Sequence, residues 1–195
     1  MGEAAIVATA RTPIGTAFKG TLRDVGAYEL ATHAVSSVIN RAELPTSVYD
    51  DVVLGESRYG GGDIARYAAI EAGLVDVPGV AMNRHCASGL TSISTAAAGI
   101  AAGMDRAVIA GGVESTSTCP MSSRRVLGTD DWDSWSAPSH LDSPEAPNMD
   151  MTITVGWNAA VECDVTREEM DAWALRSQQR AVAAIDDGRF VDEIA

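Results

Sequence analysis

Basic residues are scarce in this chain of 195: 14 Lys+Arg stand against 27 Asp+Glu, a formal net charge of −13. No basic cluster offsets that balance. This argues against nucleic acid, whose binding rests on Lys and Arg contacts with phosphates, and against an anionic membrane surface. Long apolar runs are missing as well, none approaching the ~20 residues that span a bilayer. The first ten residues, MGEAAIVATA, lack a basic leader and carry an acid at Glu3, so they do not read as a secretory signal. Cysteines number three, an odd count at wide spacing, which supplies neither a metal-ligand pair nor a disulfide framework. The expectation is a cytoplasmic protein with reduced thiols and no bound metal. What is present is ordinary for a folded domain: 46% hydrophobic and 21% charged residues, enough apolar surface to offset the entropy of ordering the chain.

Short apolar runs alternate with helical patterns along the first 112 residues. Residues 3–8 (EAAIVA) read as a buried strand followed by the turn signal Arg11-Thr12-Pro13-Ile14-Gly15. Tyr28, Leu30, Ala31, Ala34, Val35, Val38 and Ile39 recur at roughly helical spacing, ending near Asn40. Strands are predicted at 51–55 (DVVLG), 80–82 and 106–112 (RAVIAGG), and helices at 64–73 and 88–102. Strands alternating with helices of this length imply βαβ units and a mainly parallel sheet, an α/β fold. Residues 115–147 break the pattern; rich in Ser, Asp, Pro and Trp, they read as a long irregular arm. A strong helix returns over 164–188, with Thr166 and Glu169 spaced as a capping box and Gly188 closing it. Its apolar face would be Met170, Trp173, Ala174, Ser177, Ala181 and Ala184.

Asn83-Arg84-His85-Cys86-Ala87-Ser88-Gly89-Leu90 carries the most chemical information. Cys86 falls between a predicted strand and the start of a predicted helix. Unpaired N–H groups and partial positive charge at a helix N-terminus favour a thiolate and can hold an oxyanion on an attached acyl group. Small neighbours at Ala87, Ser88 and Gly89 leave room for substrate. Cys86 is thus a candidate acyl-accepting nucleophile, set against the plainer reading of a small buried hydrophobe. Cys119 and Cys163 read as structural or incidental. His33 lies on a helix and His140 in the arm, and His85 adjoins Cys86 on an extended segment, where neighbouring side chains face opposite ways.

Three of these segments and one more, taken in order, resemble the thiolases, acyltransferases that cleave or form 3-ketoacyl-CoA. They are Ala10-Arg11-Thr12-Pro13-Ile14-Gly15, the segment around Cys86, Ala110-Gly111-Gly112-Val113-Glu114-Ser115, and Thr166-Arg167-Glu168-Glu169-Met170-Asp171-Ala172-Trp173 onward. The resemblance implies an αβα half with a mainly parallel sheet over residues 1–114 and an inserted, mostly irregular or helical loop domain over 115–195. It implies Cys86 as the acylated cysteine and, at Met151, a residue against the acyl-CoA, although an apolar residue opening a helix reads equally well. The family's Gly-His-Pro histidine and Cys-x-Gly-Gly-Gly cysteine belong to a second half that these residues do not contain. The 195 residues are therefore expected to be part of a longer polypeptide, or to be completed by a second chain, and to be inactive alone.

The activity implied is cleavage of a 3-ketoacyl-CoA with CoA, or condensation of acyl-CoAs, through an acyl-cysteine, in the degradative, fatty-acid β-oxidation sense. Acyl-CoA and CoA are the partners, no metal or redox cofactor is needed, and a homodimer or homotetramer is expected. A ketoacyl synthase-like enzyme and a non-catalytic acyl-CoA- or lipid-binding protein of the same fold are the alternatives. Residues 59–63 (YGGGD) read as a tight turn at the subunit contact, and no Gly-Lys-Ser/Thr follows to make them a phosphate loop. Arg124-Arg125 is the one basic pair in the loop region and a candidate phosphate contact. Trp132, Trp135 and Trp157 could line an acyl or pantetheine channel, with buried packing the first expectation for each.

Overall fold

The computed structural model describes residues 2–59, 62–148 and 150–195. It forms two compact units, Met1–Pro120 with Glu193–Ala195, and Met121–Asp192.

The first unit is built on a three-stranded parallel sheet. Strand β1 (Asp51–Gly55) lies in the middle, between β2 (Gly79–Met82) and β3 (Val108–Gly112), with Val52 opposite both Gly79 and Ile109. A central parallel strand is covered on both faces, which is why its sequence, Val52-Val53-Leu54, is continuously apolar. Side chains alternate along it. Val52 and Leu54 join Ile109 in the main core with helix α1 (Ala27–Ala42) and helix α2 (Ile64–Glu71). Alanines at Ala27, Ala31, Ala65, Ala68 and Ala69 let the two helices approach closely, while Ile64, Leu74 and Val35 supply the bulk. Helix α2 lies so near β2 that a Cβ on Gly79 would fall 2.5 Å from the Arg66 nitrogen. Val53 and Gly55 turn to the opposite face, against helix α3 (Ser88–Ala102). The result is the expected αβα layering around a parallel sheet.

Local signals account for most element ends. Asp63 caps α2 by accepting from the Arg66 N–H at 3.1 Å. Helix α3 stops at Gly103, whose φ of +75° a side chain would resist. Strand β3 begins at Val108, two residues later than the pattern predicts, because the Arg106 N–H and guanidinium bind the Asp50 carboxylate at 2.6–3.1 Å. One expectation fails: residues 3–8 form no strand and join no ladder among the described residues, and Ile6 and Val7 are 76% and 74% exposed. Hydrophobicity makes a segment eligible for a sheet, but a strand exists through the hydrogen bonds of its neighbour.

The second unit holds an antiparallel hairpin, β4 (Ser122–Arg125) and β5 (Trp132–Trp135), in the stretch predicted to be irregular. Its strands are four residues each and polar enough to carry no alternation signal, so the turn closes it: Val126 N–H donates to the Asp131 carbonyl and Gly128 takes φ +83°. A π-helical turn (Met151–Val155) runs into helix α4 (Gly156–Glu162), and helix α5 (Arg167–Asp186) follows. The predicted helix over 164–188 is shorter at its start because Asp164 adopts φ +53° and Thr166 is the N-cap, with both arms of the capping box formed. At its end the Gly188 N–H reaches the Ile185 carbonyl and the Arg189 N–H the Ala184 carbonyl, a Schellman closure. The apolar face of α5 forms, yet none of its residues is buried. No helix among the described residues is long and apolar enough to cross a membrane.

Candidate active site

Cys86 is exposed and lies in the short connection from β2 to α3, at the carboxyl edge of the parallel sheet. Open α/β sheets bind ligands at that edge, because helix N-termini and strand ends converge there. Helix α3 begins two residues later, at Ser88, with Ala87 as N-cap and no side-chain cap. The Ser88 N–H is taken by the His85 carbonyl at 3.0 Å, which leaves the Gly89 and Leu90 N–H groups of the first turn without a carbonyl one turn back within the helix.

Three features fix the backbone of the connection that carries Cys86. First, His85 adopts φ +48°, a left-handed conformation that disfavours a side chain by about 1–2 kcal/mol. The connection is therefore not extended at this point, and the expectation that His85 and Cys86 face opposite ways from an extended backbone does not describe it. Second, Asn83 Oδ1 accepts from the His85 N–H at 2.8 Å, while its Nδ2 donates to the Ser57 carbonyl at 3.0 Å. Third, the buried Ser88 hydroxyl accepts from the Arg84 N–H at 2.8 Å and donates to the His85 carbonyl at 2.6 Å. Hydrogen bonds contribute about 0.5–1.5 kcal/mol each, so these four are enough to hold a left-handed histidine.

Close packing fixes the platform beneath. A Cβ on Gly55 would lie 2.6 Å from Ser88 and 2.7 Å from the Gly89 nitrogen, so α3 reaches β1 only because residue 55 lacks a side chain. Ser92, fully buried, donates its hydroxyl toward the carbonyls of Gly89 and Gly111 and ties α3 to β3. Just beyond Gly55 lies Glu56, 7% exposed, whose Oε2 has no hydrogen-bond partner. Burial pushes its carboxyl up from the ordinary range; Asp63 and Glu114 push it further, and the Ile64 N–H pulls it back. Sequence reasoning singled out Cys86 and read Ser88 only as a small neighbour that leaves room for substrate; it gave no role to Asn83, Gly55 or Glu56. An asparagine two residues before a histidine is an Asx-turn signal, and a glycine closing an apolar run marks close approach; both were readable.

The remaining candidates are dispersed. Cys119 follows a 3-10 turn (Thr116–Thr118), with its thiol toward the Arg58 carbonyl at 3.7 Å; Cys163 is the exposed C-cap of α4. Met151 opens the π-helical turn of the second unit, and its side chain lies outside the described residues. Gly60 and Gly61, the middle of the predicted subunit-contact turn, lie outside them too. Arg124 and Arg125 are exposed on β4, with Arg125 donating to the Thr129 carbonyl. Trp132 and Trp157 are 65% and 64% exposed and Trp135 is 36% exposed, which corrects the expectation of buried packing: a four-residue hairpin strand and a two-turn helix have too little surface to enclose an indole. His140 is held between the Ser139 hydroxyl and the Ala146 carbonyl. No histidine among the described residues is hydrogen-bonded to Cys86. Thr12 to Gly15 and Glu114 to Ser117 together line a small cavity of about 200 Å³ whose walls do not include Cys86.

The family model "Thiolase, N-terminal domain" matches residues 4–195. An acetyl-CoA acetyltransferase of Pseudomonas aeruginosa is 36% identical over 203 residues, covering 100% of this chain and 51% of that protein. A 3-ketoacyl-CoA thiolase of Bacillus subtilis is 36% identical over 199 residues, covering 100% of this chain and 48% of its own length. The chain thus spans about half the length of the curated relatives it matches.

Proposed function

The chain belongs to the thiolase family, as its N-terminal domain, and from that premise we propose that it carries the nucleophile-bearing half of an acyltransferase acting on coenzyme A thioesters. Cys86 is the acyl acceptor. In the cleavage direction its thiolate attacks the ketone carbon of a 3-ketoacyl-CoA. The bond from that carbon to its neighbour breaks, and the departing acetyl-CoA carbanion takes a proton. The acyl-cysteine then passes its acyl group to the thiol of CoA, which regenerates the free cysteine. Condensation of acyl-CoAs is the reverse sequence. Electrons balance in both directions without a redox partner or metal. First-turn N–H groups of α3 would meet the charge that develops on oxygen as the acyl group forms and leaves.

The observation that carries this reading is an exposed cysteine held directly ahead of the uncapped N-terminus of α3, at the carboxyl edge of the sheet. The names of the two relatives support the substrate class. A histidine to activate the cysteine and a second cysteine for proton transfer are assigned to the family's second half. Homo-oligomeric assembly, a degradative role, and contacts from Met151 to the acyl chain and from Arg124 and Arg125 to phosphate belong to the same proposal. Mass spectrometry after brief exposure to acetyl-CoA of the protein completed by the family's second half should find an acetyl group on Cys86. The adduct should vanish in Cys86→Ala and persist in Cys119→Ala and Cys163→Ala. An acyl group on Cys119 or Cys163 instead would overturn the assignment.

A further inference from the structure

We propose that Asn83 is the positioning residue for Cys86, its side-chain amide bracing the left-handed His85 against the run-out of β1 so that the thiol stays in front of α3. The proposal rests on Cys86 as the acyl acceptor. One planar amide joins two segments 26 residues apart: Nδ2 donates to the Ser57 carbonyl at 3.0 Å, and Oδ1 accepts from the His85 N–H at 2.8 Å. The anchor is firm, because the Glu56 N–H still donates to the Met82 carbonyl at 3.0 Å, extending the β1–β2 ladder to the residue before Asn83. His85, at φ +48°, is the residue immediately before the nucleophile. A relaxation of that angle to the ordinary negative range would redirect the chain at Cys86, the next residue, and move its thiol. Ser88 fixes the far end of the connection to α3 through Arg84 and His85. Asn83 therefore ties the connection to the sheet and Ser88 ties it to the helix, and Cys86 is held between them.

The assignment predicts a division of labour that a purely structural asparagine would not show. Removing the amide should change how fast the thiol reacts. Supplying a residue that accepts the left-handed conformation unaided should restore that rate, since glycine adopts positive φ freely. The test is the rate of Cys86 alkylation by iodoacetamide at fixed neutral pH in the full chain, read on the Cys86 peptide, with thermal unfolding followed in parallel. Asn83→Ala should slow alkylation about tenfold, the size expected for losing a bracing hydrogen bond of roughly 1 kcal/mol. The double variant with His85→Gly should return most of that loss. An alkylation rate for Asn83→Ala equal to the parent's, or no recovery with His85→Gly, would overturn the proposal. Amide exchange of the unaltered protein gives a reading that needs no variant to fold: the His85 amide should be protected, and an unprotected one sinks the idea. Neither alkylation nor exchange requires an acyl-CoA. A protein that passes both yet forms no acyl-cysteine would count against the acyl-transfer reading and leave the bracing role standing.

Discussion

Glu56 is a buried carboxyl, 7% exposed, with Oε2 unpartnered and with Asp63, the N-cap of α2, and Glu114, just past β3, acting on it. Its titration is raised in the folded state, so the neutral form is the one the fold favours. Stability from this group is greatest in acid and is lost as pH rises through the folded value. Glu56→Gln keeps an acceptor for the Ile64 N–H and removes the charge. It should therefore stabilise the protein at neutral pH by on the order of 1 kcal/mol. Urea unfolding at two pH values checks this, and the gap between variant and parent should narrow as pH falls. Asp50 shows the opposite sign. Hydrogen bonds and charge from Arg106 lower its carboxyl from 3.8 to about 2, so the pair supports the fold above pH 4 and loses that support as pH falls toward 2. Asp50→Asn should flatten the acid limb of a stability profile between those values, while an unchanged limb would mean that the ion pair is idle.

Elements meet through single atoms here, which makes two of them sensitive to small changes. Gly55→Ala puts a methyl 2.6 Å from Ser88, between a central strand and the start of α3. Neither neighbour is a flexible side chain. The substitution should lower the unfolding midpoint and slow Cys86 alkylation together, because the same contact supports the sheet and sets the height of the helix. Helix α5 depends instead on its own ends, since none of its residues is buried. Thr166→Ala removes the capping-box hydroxyl and should weaken the helix by about 1 kcal/mol, seen as lost helicity in circular dichroism with α3 and Cys86 unaffected. The box was legible in the sequence, as Thr166 and Glu169 three residues apart, because both of its hydrogen bonds close within one turn.

For the whole molecule, the matched relatives are about twice the length of these 195 residues. The chain bears no Gly-His-Pro segment, and no histidine among the described residues is bonded to Cys86. Thiolysis of acetoacetyl-CoA by the 195 residues alone should therefore stay at the background rate, and turnover well above it would contradict the assignment of the activating histidine to another part of the family's fold. Large apolar side chains also face solvent, among them Ile14, Leu127, Leu141 and Trp173. Exposed apolar surface on this scale favours association, so light scattering should show oligomers at micromolar concentration.

From the residues alone came the α/β alternation, the bounds of β1 and α3, the capping box and the choice of Cys86 over two other cysteines. All of these are local: a run of apolar residues, a helical period, a cap three residues from its partner, a cysteine at a strand–helix junction. Tertiary structure decided the rest. Residues 3–8 have the composition of a strand and pair with nothing described, because pairing is a property of two segments. The hairpin of β4 and β5 forms from short strands whose pattern predicts none, because its turn and ladder supply what periodicity does not. Asn83 reaches Ser57 and Gly55 makes way for Ser88 across 26 and 33 positions of chain. Periodicity carries no information over such distances; only the folded backbone brings those atoms within reach, and it is there that the geometry around Cys86 is set.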